Sequence, residues 1–107
     1  MRLSKIGILL ALGLAASSAQ AAGLASIKVP ASVDGQALSA FVWSPCATPP
    51  EEVKLGPITL PAARNCPIAG TKLPLIIISH GHGGGSLNHH DTAETLADAG
   101  FLVVALN

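Results

Sequence analysis

Apolar residues are spaced differently along successive stretches of this chain, and each change of spacing marks an element. Ile27-Lys28-Val29 and Leu38 to Trp43 read as short strands, with Asp34-Gly35 between them as a turn. They are expected to pair antiparallel, and Pro45 closes the second strand because it offers no ladder donor. From Cys46 to Lys72 the periodicity is broken by Pro49, Pro50, Pro57, Pro61 and Pro67, with Gly56 and Gly70. That stretch reads as a pinned excursion rather than a helix.

Leu73 to Ile78 is apolar except for Pro74, which is tolerable only near a strand start. Its consecutive isoleucines predict burial on both faces, as in a central parallel strand. Ala93, Leu96 and Ala97 then recur at helical spacing. Asp91, with Glu94 three positions later, predicts a capping box at the helix start, and Gly100 predicts the stop. Phe101 to Leu106 is a second apolar strand, so Leu73 to Leu106 forms one expected right-handed βαβ unit. The expected fold class is therefore α/β, with short N-terminal antiparallel strands followed by that unit. A single helix would leave one sheet face bare and strand edges open, which predicts poor solubility or dependence on a partner.

The first residues add a processing signal. Arg2 and Lys5 precede an apolar run from Ile6 to Ala16, and Ala19-Gln20-Ala21 supplies small residues at alternate positions. Residues 1–21 thus have the layout of a secretory signal peptide, cut after Ala21 or after Ala22, with 22–107 as the domain that follows. The apolar run is shorter than the roughly 20 residues of a membrane-spanning helix, so stable membrane insertion is not expected. The implied location is periplasmic or secreted. In such an oxidising compartment Cys46 and Cys66 are expected to form a disulfide worth about 3 kcal/mol. Two metal ligands would be the alternative, but neither cysteine lies in a C-x-x-C pair. Formal charge is zero, and the only aromatic residues are Phe41, Trp43 and Phe101, so nothing marks a nucleic-acid partner.

The chemistry concentrates where the isoleucine strand ends, in Ser79-His80-Gly81-His82-Gly83-Gly84-Gly85. Backbone N–H groups exposed in such a turn can hold the oxyanion of an acyl-transfer intermediate, a contribution of about 3 kcal/mol per donor. This stretch resembles the oxyanion loop of the α/β-hydrolase fold. Leu73 to Asn107 as a whole is similar to the corresponding segment of the dienelactone hydrolase and bacterial platelet-activating-factor acetylhydrolase-like branch. Gly56 to Pro67 also resembles the lead-in of exported members, so the resemblance runs from about residue 27 to residue 107.

The resemblance implies the N-terminal part of an α/β-hydrolase fold, acting when complete on a small-molecule carboxylic ester or lactone without a cofactor. It places an oxyanion donor at the His82 backbone N–H. Gly81 and Gly83 would hold the turn open, and His80 would brace it through a side-chain hydrogen bond. No G-x-S-x-G elbow occurs in the 107 residues, so the nucleophile and triad are absent and the chain alone is expected to be inactive. Ser79 and Ser86 are poor substitutes, since neither has elbow context.

A histidine-rich periplasmic metal-binding protein, or a noncatalytic binding fragment, is the competing reading. His80, His82, His89 and His90 lie close together with Asp91. The strand running into Ser79-His80-Gly81-His82 superficially resembles the zinc motif of metallo-β-lactamases, but Gly84 and Gly85 stand where that family has Asp and His ligands. A phosphate-binding P-loop is excluded by the lack of a Lys-Ser/Thr pair after the glycines.

Overall fold

The computed structural model describes residues 22–107. The expected signal peptide of residues 1–21 lies outside them. Six strands and one helix follow in the order β1 Gly23–Val29, β2 Leu38–Ser44, β3 Glu51–Leu55, β4 Ile58–Arg64, β5 Leu75–Ser79, α1 His90–Asp98 and β6 Leu102–Leu106. They build one mixed sheet in the order β3-β4-β1-β2-β6-β5, a domain of α/β character with a single helix among the described residues.

β1 and β2 pair antiparallel as expected, in a register that sets Ile27 opposite Ala40 and Val29 opposite Leu38. The expected βαβ unit is also present: β5 and β6 run parallel from Leu75↔Leu102 to Ser79↔Leu106, with α1 between them in sequence. Cross-strand partners share a sheet face. Trp43 and Val103 are partners, and both are fully buried with Ala93 and Ala97 of α1. The helix therefore covers the face that carries Leu24, Phe41, Trp43, Val103 and Ala105. Alanines at its contact positions let the helix lie close to the strands.

The opposite face is largely open, although Ala40 and Ser44 on it are buried. Ile27, Val29, Leu38, Leu75 and Ile77 all belong to it by register and are 39–60 % exposed. This corrects one expectation: β5 is an edge strand of the described sheet rather than a central one, so its isoleucines are covered on one side only. Ile76 and Ile78 pack against the core, while Ile77 faces out.

The helix start differs too. His89 occupies the N-cap position, and no side chain caps the helix. Asp91 sits inside the first turn, where its carboxylate accepts from the adjacent Thr92 N–H at 2.9 Å. Glu94 meets His90 one turn earlier, at 3.6 Å. The capping box does not form because the helix begins one residue before Asp91. Its end matches expectation: Gly100 has φ +106°, and the N–H groups of Gly100 and Phe101 bond to the carbonyls of Ala97 and Leu96. Those are the paired bonds of a Schellman stop.

The proline-rich excursion holds the main surprise. It contains a regular β-hairpin, β3–β4, closed by Gly56-Pro57 between Leu55 and Ile58. Gly56 has φ +59°, as the first position of a primed two-residue turn demands, and Pro57 suits the second. Pro61 is tolerated within β4 because β4 meets β1 only at Gly23↔Ala63 and Leu24↔Arg64, leaving no ladder partner on that side of Pro61. Val53, Leu60 and Ala62 turn inward and join Leu24 and Trp43 in the core. The expected disulfide, Cys46–Cys66, brackets the hairpin. Gly23 lies against it, and a Cβ there would come within 2.9 Å of Ser44 Oγ and 3.3 Å of both cysteine Cβ atoms. Among the described residues no helix is long and apolar enough to cross a membrane.

Candidate functional site

β5 delivers its last residue, Ser79, to the carboxyl end of the parallel pair, and the chain then bends through a succession of turns before entering α1. Gly84 N–H donates to Gly81 O at 3.0 Å, closing a turn whose third residue, Gly83, has φ +80°. That left-handed value is the signature of a type II turn, and it explains a glycine at that position. Asn88 N–H to Gly85 O and His90 N–H to Leu87 O close the next turns. Space at Gly84 is also tight: a Cβ there would come within 2.6 Å of the Asn88 side-chain Nδ2, which can swing aside, and 3.2 Å of Gly81 O.

The His80 ring adds a second bond to the same acceptor. Its Nδ1–H donates to Gly81 O at 2.8 Å. The Gly81 carbonyl is thus held by two donors, which fixes the plane of the peptide between Gly81 and His82. In a trans peptide the N–H points opposite to the C=O. No peptide in the described residues is cis. The His82 N–H is consequently turned away from the donors that hold Gly81 O. Among the described residues it has no hydrogen-bond acceptor, and His82 is exposed. An unpaired, fixed amide at the carboxyl end of a βα unit is suited to receive an anion or a developing oxyanion.

The remaining sequence candidates separate. His80 and His82 lie in the turn, whereas His90 is drawn into the helix beside Glu94. Burial is the main influence on Glu94 and raises its carboxyl above the ordinary range, partly offset by His90. At 3.6 Å the pair is too far apart for a hydrogen bond, and His90 Nδ1 and Glu94 Oε1 are buried without hydrogen-bond partners. Among the described residues no group of three or more His, Cys, Asp and Glu side chains is arranged to hold a metal. Ser79, at the end of β5, is exposed, and Ser86 lies past the glycines.

One residue that the sequence did not single out also reaches this end of the sheet. Asn107 follows β6 and donates its N–H to Ser39 O, and a Cβ on Gly85 would lie 3.8 Å from its Oδ1. With Ser86 it lines a recess of about 280 Å³ beside the glycine segment, together with Ser26, Lys28, Ser39 and Phe41. A polar residue immediately after the strand at Leu106 was the only available signal.

A mixed sheet with a helix packed on one face and a glycine turn at the carboxyl end of its parallel pair gives the domain its α/β character. The chain belongs to the family described as platelet-activating factor acetylhydrolase, isoform II, which matches residues 36–107. The match includes the hairpin, the disulfide, the glycine turn and the whole βαβ unit, and β1 precedes it. It is a family of ester hydrolases. Searches of curated proteins and of solved structures returned no match.

Proposed function

We propose that residues 22–107 are the N-terminal portion of an α/β-hydrolase domain, of the branch that includes dienelactone hydrolases. In this reading the domain is exported to the periplasm or beyond after removal of residues 1–21, and it supplies the oxyanion-binding turn for hydrolysis of carboxylic esters or lactones. The His82 backbone N–H is the donor, Gly81 and Gly83 shape the turn, and His80 holds the Gly81 carbonyl so that this donor keeps its direction. The observation that carries the reading is the unpaired His82 amide, oriented by two hydrogen bonds to the preceding carbonyl.

The reaction needs a nucleophile, an acid and a base from outside the described residues. As the nucleophile attacks the ester carbonyl, negative charge gathers on its oxygen, and a fixed amide stabilises that charge without reorganising. A further layer over the bare sheet face, and a strand beside β5, would complete the apolar burial that the described residues leave open.

His82→Pro tests the donor cleanly, because proline suits the second position of a type II turn and removes little but the N–H. In the active enzyme that contains these residues, kcat on a p-nitrophenyl ester should fall about 100-fold or more, while His82→Ala stays within a few-fold of the parent. Equal losses in both variants would show that the side chain, and not the amide, does the work. The isolated chain should resist a fluorophosphonate probe; stoichiometric labelling would mean that it carries its own activated serine.

A further inference from the structure

β1 is paired along its whole length on one side and over two residues on the other. Towards β2 the register runs unbroken from Gly23↔Ser44 to Val29↔Leu38. Towards β4 it consists of Gly23↔Ala63 and Leu24↔Arg64. The contact ends there because Asn65, at φ +50°, turns the chain away once its N–H has bonded to Leu24 O at 2.9 Å. From Ala25 to Val29 no described strand pairs with this edge.

The bonds already made fix the direction of the free backbone groups. Ala22 O and Leu24 O accept on this side, from Ala63 N–H and Asn65 N–H. The bonding groups of successive strand residues point to opposite edges, so Ser26 and Lys28 turn theirs to the open edge while Ile27 turns its own to β2. The pairing across the hairpin agrees: Ser39, partner of Lys28, gives its carbonyl to Asn107 N–H rather than to β1. Two donors and two acceptors are thus presented with no described strand to take them up. Ser26 through Val29 are all exposed, and an edge of this kind is a template for another strand.

The sequence of this edge is complementary to itself. In an antiparallel pair of copies centred on Ile27, Ser26 meets the partner's Lys28 and Lys28 meets the partner's Ser26. Both are hydrogen-bonded pairs, which together close four backbone bonds. Ala25 meets the partner's Val29, and Ile27 meets the partner's Ile27, so apolar residues face apolar ones. Centring the pair on Lys28 would oppose two ammonium groups, and centring it on Ser26 would need Leu24, whose carbonyl Asn65 already holds. Registers offset by one residue oppose an edge-facing residue to one that faces away. The edge also lies across the sheet from β5, so a strand added beside β5 does not compete for it.

We infer that the free edge of β1 docks a second copy of this chain, the two strands pairing antiparallel about Ile27. The inference goes beyond the ester-hydrolase reading and does not depend on it. Pairing joins two sheets into one and continues the open apolar face from copy to copy through Ile27 and Val29. Five residues a side make a small interface, so the association is reversible rather than permanent.

Sedimentation of the purified protein should show a monomer–dimer equilibrium between about 10 μM and 1 mM. Ile27→Lys, which opposes two like charges across the axis, should weaken it about tenfold or more. Ile77→Lys, on the same face but three strands away on β5, should leave it unchanged. Amide exchange at Ser26 and Lys28 should slow as concentration rises. Ile27→Cys should oxidise to a covalent dimer faster than Val33→Cys at the fully exposed hairpin tip, since a non-hydrogen-bonded antiparallel pair holds its Cα atoms about 4.5 Å apart, within bridging range. A monomer throughout the concentration range, or a dimer that Ile77→Lys dissolves and Ile27→Lys does not, would overturn the assignment. Protected Ser26 and Lys28 amides in the monomer would overturn it as well, because a segment of the same chain would then already fill the edge.

Discussion

At one end of the sheet β5 pairs with β6 from Leu75 to Ser79 and belongs to the βαβ unit whose helix lies against β6. At the other, the β3–β4 hairpin reaches β1 through Gly23↔Ala63 and Leu24↔Arg64 and is bracketed by a disulfide. The first attachment is a continuous ladder with a helix packed over its inner strand. The second combines a short ladder, a few buried side chains and one covalent bond. A strand joined to the sheet through two residue pairs gains little from backbone bonding, so the cross-link and the inward side chains Val53, Leu60 and Ala62 must supply the rest.

The largest expected effect follows from that contrast. Replacing both cysteines by alanine should cost about 3 kcal/mol in chemical denaturation, by the loop-entropy account of cross-links. Amide exchange should accelerate more in Glu51–Arg64 than in Leu75–Ser79. Equal acceleration in both regions would show that they are one cooperative unit, and the comparison would fail.

A smaller effect is expected at the other end. Gly100→Ala forces a side chain into φ +106° and breaks the Schellman stop, at a cost of about 1 to 2 kcal/mol. It should leave exchange in the hairpin unchanged, and it should add to the cysteine replacement in a double variant because the two sites lack shared partners. Strong non-additivity would reveal coupling across the sheet.

The smallest effect is electrostatic. Asp98 lies in the last turn of α1, where no basic residue balances the helix dipole, and burial raises its carboxyl pKa. Burial raises Glu94 as well. A carboxyl whose folded pKa is raised binds protons more readily in the native state. Its stabilising contribution is complete below its unfolded pKa of about 4 and is lost as pH rises through the folded value. Stability attributable to these two groups should therefore decline from about pH 4 towards neutrality. Asp98→Asn should flatten part of that decline and gain about 0.3 to 1 kcal/mol at pH 7, measured by thermal melts across pH. An unchanged pH profile would remove Asp98 from the account.

Legibility in the sequence followed the same division. β5, α1 and β6 could be read because continuous apolar runs flank a stretch of helical spacing, and Gly100 punctuates them. The hairpin was hidden by its prolines, although Val53 and Leu55 alternate before Gly56-Pro57 and Ile58, Leu60 and Ala62 alternate after it. The capping box misled because its residues sit one position too far into the helix. At the candidate site, the glycine turn was visible as a motif. The orientation of the His82 amide was not, since it depends on two donors converging on one carbonyl. The place of Arg64 was hidden as well, because only the parallel pairing of distant segments brings it beside Leu24.

The open face carrying Leu38, Leu75 and Ile77 lies on the reverse of the sheet from Trp43, Val103 and the helix that covers them. Whatever layer shields that face can therefore assemble without displacing α1 from the strands it covers. Polar replacements at Ile77 or Leu38 should therefore ease handling of the described residues by themselves, at the expense of any layer that packs on that face.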